Sequence, residues 1–494
     1  MAKQPASIQI LDVEGLAEDK GQPLSARVEN RIRRAILSGN LPTGSRLPSS
    51  RVLAQDLGVS RQTVEAAFDQ LEAQGFVVRR RGSGTFVARE LPDRAWVPQA
   101  ADRGRPLVAP AAVLSLRGRI IAEYPGHHEP TVGRAFTPSI PAVDLFPRQI
   151  WTRLMVRAAR RPGVSNWVYG ASNGLAPLRE AIAAHVAGSR AVTCSPDQVI
   201  VVSSAQQGVD LVARVLLDPD DPVWVEDPGY PPVAHLFRAA GARVVPIPVD
   251  ENGLDTTRAL AIEPHARLAY VTPSHQYPSG GLMPLTARQL LLEWAERKKT
   301  WILEDDYDGD FRYAGRPLAS LQGLDRASRV IYAGTFNKMM FPSLRIAFLI
   351  VPPSLVDPFL AAKHMMDGHA PGLAQAALAD FIHDGHLATH LRRLLSEYDR
   401  RRMALLAELE SLGDQLTVGP AEAGLHVAVY LKSPGDDRQI ARGAARKGVD
   451  LHPLSRFYQG QPRQGFVLGF ACTRPSRTAV AMRLVAKAIQ GEAK

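Results

Sequence analysis

Cysteine is nearly absent from this chain, with only Cys194 and Cys472 among 494 residues. A single pair can build neither a disulfide framework nor a four-thiolate zinc site, and such scarcity fits a reducing compartment. Long apolar runs are missing too. The most apolar stretches, such as Ile346 to Val351, fall far short of the roughly 20 residues that cross a bilayer. The opening MAKQPASIQILDVEG lacks the basic-then-apolar pattern of a secretory signal. No internal repeat at a solenoid or propeller period is visible. These absences lead to the expectation of a cytoplasmic protein with no membrane partner. What remains is ordinary: 45% hydrophobic and 22% charged residues, enough for a sizeable core and inconsistent with disorder or a fibre. At about 150 residues per domain, the length predicts two to four domains.

The charge is uneven. Fifty-nine basic residues against 49 acidic ones leave +10, which permits an anionic partner without identifying it. Between Gln22 and Glu90 there are eleven arginines, six acids and no lysine. Arginine alone points to bidentate contacts with phosphate or guanine. Three parts follow: a compact unit over 22–90, a linker rich in Pro, Arg and Ala over 91–130, and a long unit over 131–494. The linker has no sustained helical or strand period.

Within the first part, LSARVENRIRRAILS sets Val28, Ile32, Ala35 and Ile36 on one helical face and arginines on the other. Ser49 or Ser50 can cap a second helix through Leu57, Gly58 permits a tight turn, and Ser60 caps a third helix. Two short helices around a glycine turn predict a helix-turn-helix, whose second helix presents its first residues to the major groove. Those are Ser60, Arg61, Gln62 and Thr63, a guanine reader and an adenine reader flanked by hydroxyls. FVVRRRGSGTFVAR then predicts a hairpin carrying Arg79, Arg80 and Arg81, a wing for phosphate or the minor groove. A solvated arginine face is the bland reading of any one feature; the ordered set predicts binding of double-stranded DNA.

From about Thr131, short apolar runs alternate with amphipathic stretches. Strands are expected at 198–202, 223–226, 243–249, 268–272, 300–304, 329–333 and 345–351, and helices near 206–217, 231–240 and 286–298. This alternation predicts an α/β domain with a largely parallel sheet. Helices dominate after about Val356, notably 388–411, before a smaller mixed unit with 427–431 and 467–471.

Chemistry-bearing residues cluster at the expected strand ends, where open α/β sheets bind ligands. A pyridoxal phosphate site needs a lysine for a Schiff base, a carboxylate for the pyridine nitrogen, a phosphate cradle and a stacking ring. SSAQQGVDL opens a helix with the N–H groups of Ala205 and Gln206; EDPGYPP offers Tyr230 for stacking; GTFNKMMFPSLR contains Thr335, Lys338 and Arg345. An isolated lysine is ordinarily a surface residue, but Lys338 sits among Phe336, Met339, Met340 and Phe341, where an ammonium is costly. EDDYDGDF also admits a magnesium cluster or an acidic loop, although further oxygen ligands are not evident. His386 and His390, one helical turn apart, lack a third ligand and are expected on a solvated helix.

The N-terminal segment LPSSRVLAQDLGVSRQTVEAAFDQLEAQGFVVRRRGSGTFV resembles the winged helix of GntR-family bacterial regulators. The resemblance implies DNA contacts from Arg51, Ser60, Arg61 and Gln62, and from Gly82 at the wing tip, to which the reading of the helix start and hairpin adds Thr63 and Arg81. Residues 131–494 resemble fold-type I pyridoxal phosphate aminotransferases, with SSAQQ, EDPGYP, TPSHQYPSGGLMP, EDDYDGDFRY and GTFNKMMFPSLR in family order. Together the chain is similar to MocR-type regulators, a multidomain architecture of winged helix-turn-helix plus α/β aminotransferase domain. That resemblance implies that Lys338 bonds the cofactor covalently, Asp305 pairs with the pyridine nitrogen, Tyr307 meets the phenolic oxygen and Tyr230 stacks. It further implies that Thr335 and Arg345 hold the phosphate, beside the Ala205–Gln206 turn read above and an Asn337 amide that can still donate, with Tyr169 reaching a phosphate across a dimer interface. The choice of Asp305 over Glu304 or Asp306 rests on family spacing; alternation along a strand would set it on the opposite face from both.

Three departures stand out. Asn337 replaces the usual serine before the lysine, Ser204 replaces the glycine of SGAQQ, and Val467 stands where relatives that process amino acids carry an arginine for the substrate carboxylate. Arg463 is a nearby substitute of uncertain register. The leading expectation is a regulator whose aminotransferase-like domain senses pyridoxal 5'-phosphate or an amine effector. Its homodimer would be a head-to-tail, domain-swapped one. The alternatives are an active aminotransferase with a DNA-binding appendage, and a regulator that keeps the fold only as a dimerisation scaffold.

Overall fold

The computed structural model describes residues 22–91, 113–124, 134–163, 167–315 and 319–491. Two compact units are separated between Ala112 and Val113.

In the first unit α1 (Leu24–Leu37), α2 (Ser50–Asp56) and α3 (Arg61–Ala73) precede a hairpin of β1 (Val77–Arg80) and β2 (Gly84–Val87). Val28, Ile32, Ala35 and Ile36 are all buried, as their helical spacing predicts, and join Leu53, Val64, Phe68 and Leu71 in one core. The Ser49 and Ser60 side chains accept hydrogen bonds from the N–H groups of Val52 and Thr63, capping α2 and α3. Gly58, at φ +63°, makes the turn between those helices. A third edge joins the hairpin, where the Leu47 N–H donates to the Thr85 carbonyl at 2.9 Å. This is a winged helix-turn-helix.

The second unit begins with α4 (Leu116–Ala122), α5 (Arg148–Arg160) and α6 (Ala176–Arg190). Helix α4 falls inside the segment 91–130 expected to carry no helical period. Seven residues cannot display one. The helix exists because the Ser115 hydroxyl caps the Gly118 N–H at 3.0 Å and because Tyr124 lies edge-on to His235 at 4.9 Å. Positions 92–112 and 125–133, including the expected domain start at Thr131, lie outside the described residues.

Alternating strands and helices follow: β3 (Val199–Val202), α7 (Ala205–Leu216), β4 (Pro222–Asp227), α8 (Pro231–Ala240), β5 (Arg243–Asp250), β6 (Gly253–Leu254), α9 (Thr256–Ile262), β7 (Leu268–Val271), α10 (Leu285–Lys298), β8 (Trp301–Asp306), α11 (Leu321–Leu324), β9 (Val330–Thr335) and β10 (Ala347–Ile350). They build an eight-stranded sheet in the order β3-β10-β9-β8-β7-β4-β5-β6. The run from β9 to β5 is parallel, while β10 is antiparallel to both neighbours. Both faces are covered, so consecutive residues enter different cores: Val199 and Val201 pack with α6, Ile200 and Val202 with α7.

Helices α12 (Val356–Asp367), α13 (Gly372–His383) and α14 (His386–Glu410) lead to a four-stranded antiparallel sheet. Its strands are β11 (Leu416–Val418), β12 (His426–Leu431), β13 (His452–Pro453) and β14 (Gly465–Gly469), with α15 (Asp437–Ala445) and α16 (Pro475–Ile489) beside them. The expectation of a solvated His390 is corrected here: it is buried, 5.7 Å from the Phe146 ring, and burial pulls it down to about 4. The partner of His390 is the Met339 backbone, next to Lys338.

Candidate functional site

At one edge of the large sheet, Val202 of β3 pairs with Ala347 of β10, and Ala347 pairs with Thr335 of β9. Register therefore brings Ser203–Gln206, Thr335–Lys338 and Arg345 out of the sheet side by side. The Ser204 hydroxyl caps α7 by accepting the Gln207 N–H at 3.1 Å. As first-turn residues, Ala205 and Gln206 have N–H groups without partners inside the helix, at its positive end. Serine in place of glycine thus strengthens the helix start that would face a phosphate. Arg345 has no ion-pair partner among the described residues, and its charge acts on the Tyr230 hydroxyl. The Asn337 N–H donates to the Thr335 hydroxyl at 3.2 Å, and the Asn337 Oδ1 is buried without a partner.

The three consecutive acids of β8 have different neighbours. Glu304 accepts the N–H groups of Leu321 and Gln322 at 2.8 and 2.9 Å. Asp306, on the same face, accepts from Arg190 Nε at 2.6 Å and the Tyr332 hydroxyl at 2.7 Å. Asp305 points the other way. Its Oδ2 accepts the Tyr270 hydroxyl at 2.6 Å, and its Oδ1 is buried with no partner. Burial raises the Asp305 carboxyl to about 6, against the Tyr270 hydrogen bond. Lys338 Nζ donates to the Ser139 carbonyl at 2.8 Å, and burial draws its ammonium down to about 8 although Asp308 and Asp305 resist.

A half-satisfied buried carboxylate, a lysine poised toward its neutral form and an open helix start on one sheet edge fit pyridoxal phosphate. Asp305 Oδ1 suits a protonated pyridine nitrogen, and the α7 turn with Thr335 and Arg345 suits the phosphate. Tyr230, at the N-cap of α8, is partly buried and packs edge-on to Tyr277 at 5.7 Å.

Four contributors have no role in the sequence reading. The Tyr307 hydroxyl lies 3.0 Å from His275 Nδ1, which is also 3.0 Å from Asp308 Oδ2. Tyr270 and Ser139 complete the surroundings of Asp305 and Lys338. TPSHQYPSGG was legible as a motif, but the pairing of His275 with Tyr307 depends on the alignment of β7 with β8. His275, Asp308 and His426 bring ligand-type atoms within 4.8 Å of one another. Nδ1 of His275 has the two partners above and His426 Nε2 faces the Pro278 carbonyl at 3.1 Å, while His275 Nε2 and His426 Nδ1 are buried without a partner.

Val467 is fully buried in an apolar group with Tyr277, Leu454 and Phe457, against which Tyr230 and Tyr307 pack. Arg463 stacks on Tyr430, its guanidinium carbon 3.8 Å from the ring centroid. Tyr169 is exposed, the His369 ring lies 6.0 Å away, and among the described residues no contact joins it to the other site residues.

On the winged helix, Arg51, Arg61, Gln62, Arg81 and Gly82 are exposed. The Ser60 hydroxyl caps α3 and lies 2.8 Å from that of Thr63. One arginine of the wing is engaged elsewhere: Arg79 pairs with Asp69 at 2.8 Å and with Glu65 and Glu72 at 3.5 and 3.7 Å, all on α3.

Residues 24–87 match the family of bacterial regulatory proteins, gntR family, and residues 151–458 match aminotransferase class I and II. The chain is 41% identical over 468 residues to the probable rhizopine catabolism regulatory protein MocR of Rhizobium meliloti, covering 93% of this chain and 92% of that one. It is 31% identical to the pyridoxine biosynthesis transcriptional regulator PdxR of Corynebacterium glutamicum, covering 90% and 92%. Among solved structures it resembles the α-aminoadipate aminotransferase LysN of Thermus thermophilus, complexed with N-(5'-phosphopyridoxyl)-L-leucine. That match has a TM-score of 0.68 at 28% identity over 72% of this chain and 92% of that one.

Proposed function

This chain belongs to the MocR-type branch of the GntR-family transcriptional regulators, and from that premise we propose that its aminotransferase-like domain holds pyridoxal 5'-phosphate and senses an amine. The observation that carries the reading is Asp305, whose buried Oδ1 lacks a partner and which feels the charge of Lys338, whereas Glu304 has both oxygens bonded and Asp306, its own Oδ1 likewise unbonded, is ion-paired with Arg190 through Oδ2. An acceptor left open in a low-dielectric site is costly unless a ligand donor meets it.

When bound, the cofactor supplies an aldehyde and an electron-withdrawing ring. Lys338 contributes a neutral amine, favoured by burial, to hold that aldehyde. Asp305 keeps a proton on the pyridine nitrogen, and Tyr307 donates to the phenolic oxygen. Thr335, Asn337, Arg345 and the Ala205–Gln206 turn hold the phosphate, with Tyr230 on the ring face. Tyr169 is assigned to the phosphate of a partner subunit, which makes the working form a homodimer, with domains exchanged head to tail. The winged helix reads operator DNA in the cytoplasm through Arg51, Ser60, Arg61, Gln62 and Thr63, with Arg81 and Gly82 on the backbone. An effector that prefers one arrangement of the dimer shifts operator affinity by its differential binding.

The intact Lys338–Asp305 pair favours a second reading, a working aminotransferase. Val467 weighs against it, because no guanidinium rises from β14 to anchor a substrate carboxylate.

The test is a visible spectrum of the purified chain before and after borohydride, followed by peptide mapping. Absorbance near the cofactor band and a reduced adduct on Lys338 support the reading. A colourless protein that takes up no added pyridoxal phosphate overturns it.

A further inference from the structure

A cavity of about 270 Å³ lies between α8 and the loop after Leu454, bordered by Glu226, Tyr230, His235, Arg238, Arg456 and Tyr458. That is room for several water molecules at roughly 30 Å³ each, or for one small organic molecule. Tyr230 is the single residue it shares with the set assigned to the cofactor; Tyr270, which holds Asp305, borders it as well.

Helical spacing builds one wall: Tyr230 at the N-cap, then Ala234 and Arg238, project at intervals of four. The other wall is a strap fastened to the end of β4. The Gly229 N–H donates to the Phe457 carbonyl at 3.0 Å, and the Gln459 and Gly460 N–H groups donate to the two Asp227 oxygens at 2.8 and 2.9 Å. Arg238 donates to the Gln459 side chain and so links both walls.

The charge in this cavity is not balanced. Glu226 has both oxygens engaged, by the Thr272 N–H at 3.0 Å, the Thr272 hydroxyl at 2.5 Å and Gln276 Nε2 at 3.1 Å, and burial raises it to about 7. Asp227 is taken by the strap. Among the described residues neither Arg238 nor Arg456 has an ion-pair partner. Burial lowers Arg238, and burial together with Arg238 lowers His235 against the opposing charge of Glu123. Two guanidiniums on facing walls, lined between by Tyr230 and Tyr458, match a carboxylate on an apolar body.

We propose that this cavity, behind the stacking ring and separate from the cofactor position, binds a small organic carboxylate through Arg238 and Arg456. The arginine missing at Val467 thus has its counterpart on the other side of Tyr230. Its regulatory consequence rests on the sensor reading above; its binding chemistry rests on the cavity alone.

The experiment is calorimetric titration of the full chain with glutarate, its neutral diamide glutaramide and inorganic phosphate, each with and without cofactor. Glutarate is expected to bind in both forms and glutaramide not to bind. Arg456→Gln and Arg238→Gln should each weaken glutarate at least tenfold, with Arg456→Lys recovering part of the loss. Lys338→Ala should leave glutarate affinity within twofold of wild type. Binding untouched by both arginine changes, equal binding of glutaramide, preference for phosphate, or loss of binding with Lys338→Ala each overturns the assignment. Should Arg238→Gln fail to fold, the exposed Arg456 carries the test. Glutarate that binds through these arginines yet leaves operator affinity unchanged supports the cavity and removes only the sensor reading.

Discussion

The hydroxyl of Tyr307 and Nδ1 of His275 are 3.0 Å apart, and Asp308 Oδ2 approaches the same nitrogen at 3.0 Å. A carboxylate is an acceptor only, so it fixes the proton on Nδ1. That N–H then leans on the Tyr307 oxygen and leaves the phenol proton free to donate toward the cofactor. The three residues form a relay that positions one proton.

His275→Ala should therefore weaken donation to the cofactor's phenolic oxygen. The pH midpoint of the visible band is expected to rise by roughly one unit, equivalent to about 1.4 kcal/mol. Operator affinity without effector should not change. An unmoved midpoint in a folded variant would reduce His275 to a packing residue.

Cofactor uptake should depend on pH through Lys338. Only the neutral amine attacks an aldehyde, and burial brings the ammonium down to about 8. The rate at which cofactor-free protein gains absorbance should climb as pH rises through about 8 and then level off. A profile still climbing near the ordinary lysine value would show that Lys338 is solvated.

Asp305→Asn separates cofactor affinity from stability. The carboxyl is raised from the ordinary Asp range to about 6. Between those values the folded chain holds more protons than the unfolded one, so this group's contribution to stability falls as pH climbs through that window. Cofactor-free wild type should thus gain stability on acidification from pH 6.5 to 4.5, and the variant should gain less. Its cofactor affinity should fall at least tenfold. Thermal melts across pH and a spectral titration check the two halves.

Lys338→Ala should abolish the colour and the effector response while operator binding persists. Gel-shift titrations with and without candidate amines measure this, and an undiminished response would take the cofactor out of the regulatory mechanism.

The arginines of the winged unit should behave differently from one another. Arg61→Ala should cost about 1–3 kcal/mol of operator binding and relax base preference. Arg81→Ala should weaken all sequences alike and reduce the salt slope by about one. Arg79→Ala should chiefly lower the melting temperature of the winged unit, since its guanidinium is held by Glu65, Asp69 and Glu72. Fluorescence anisotropy at several salt concentrations distinguishes the three.

Local rules made much of this protein readable in advance. Apolar spacing placed Val28, Ile32, Ala35 and Ile36 in a core, side-chain chemistry marked Ser49 and Ser60 as caps, and strand alternation set Asp305 apart from Glu304 and Asp306. Each depends on residues a few positions apart, where backbone geometry alone sets direction. Helix α4 escaped because it is short and held by α8, and burial of His390 escaped because Phe146 lies far away in the chain. By itself the sequence determined the two architectures, their order and the strand ends at which chemistry gathers. Only tertiary structure decided which acid Arg190 takes, that Arg79 is held by the reading helix, that His275 addresses Tyr307 and that Arg238 and Arg456 border one cavity. Those outcomes turn on burial and through-space charge between distant segments, quantities that sheet register creates and that no local period encodes.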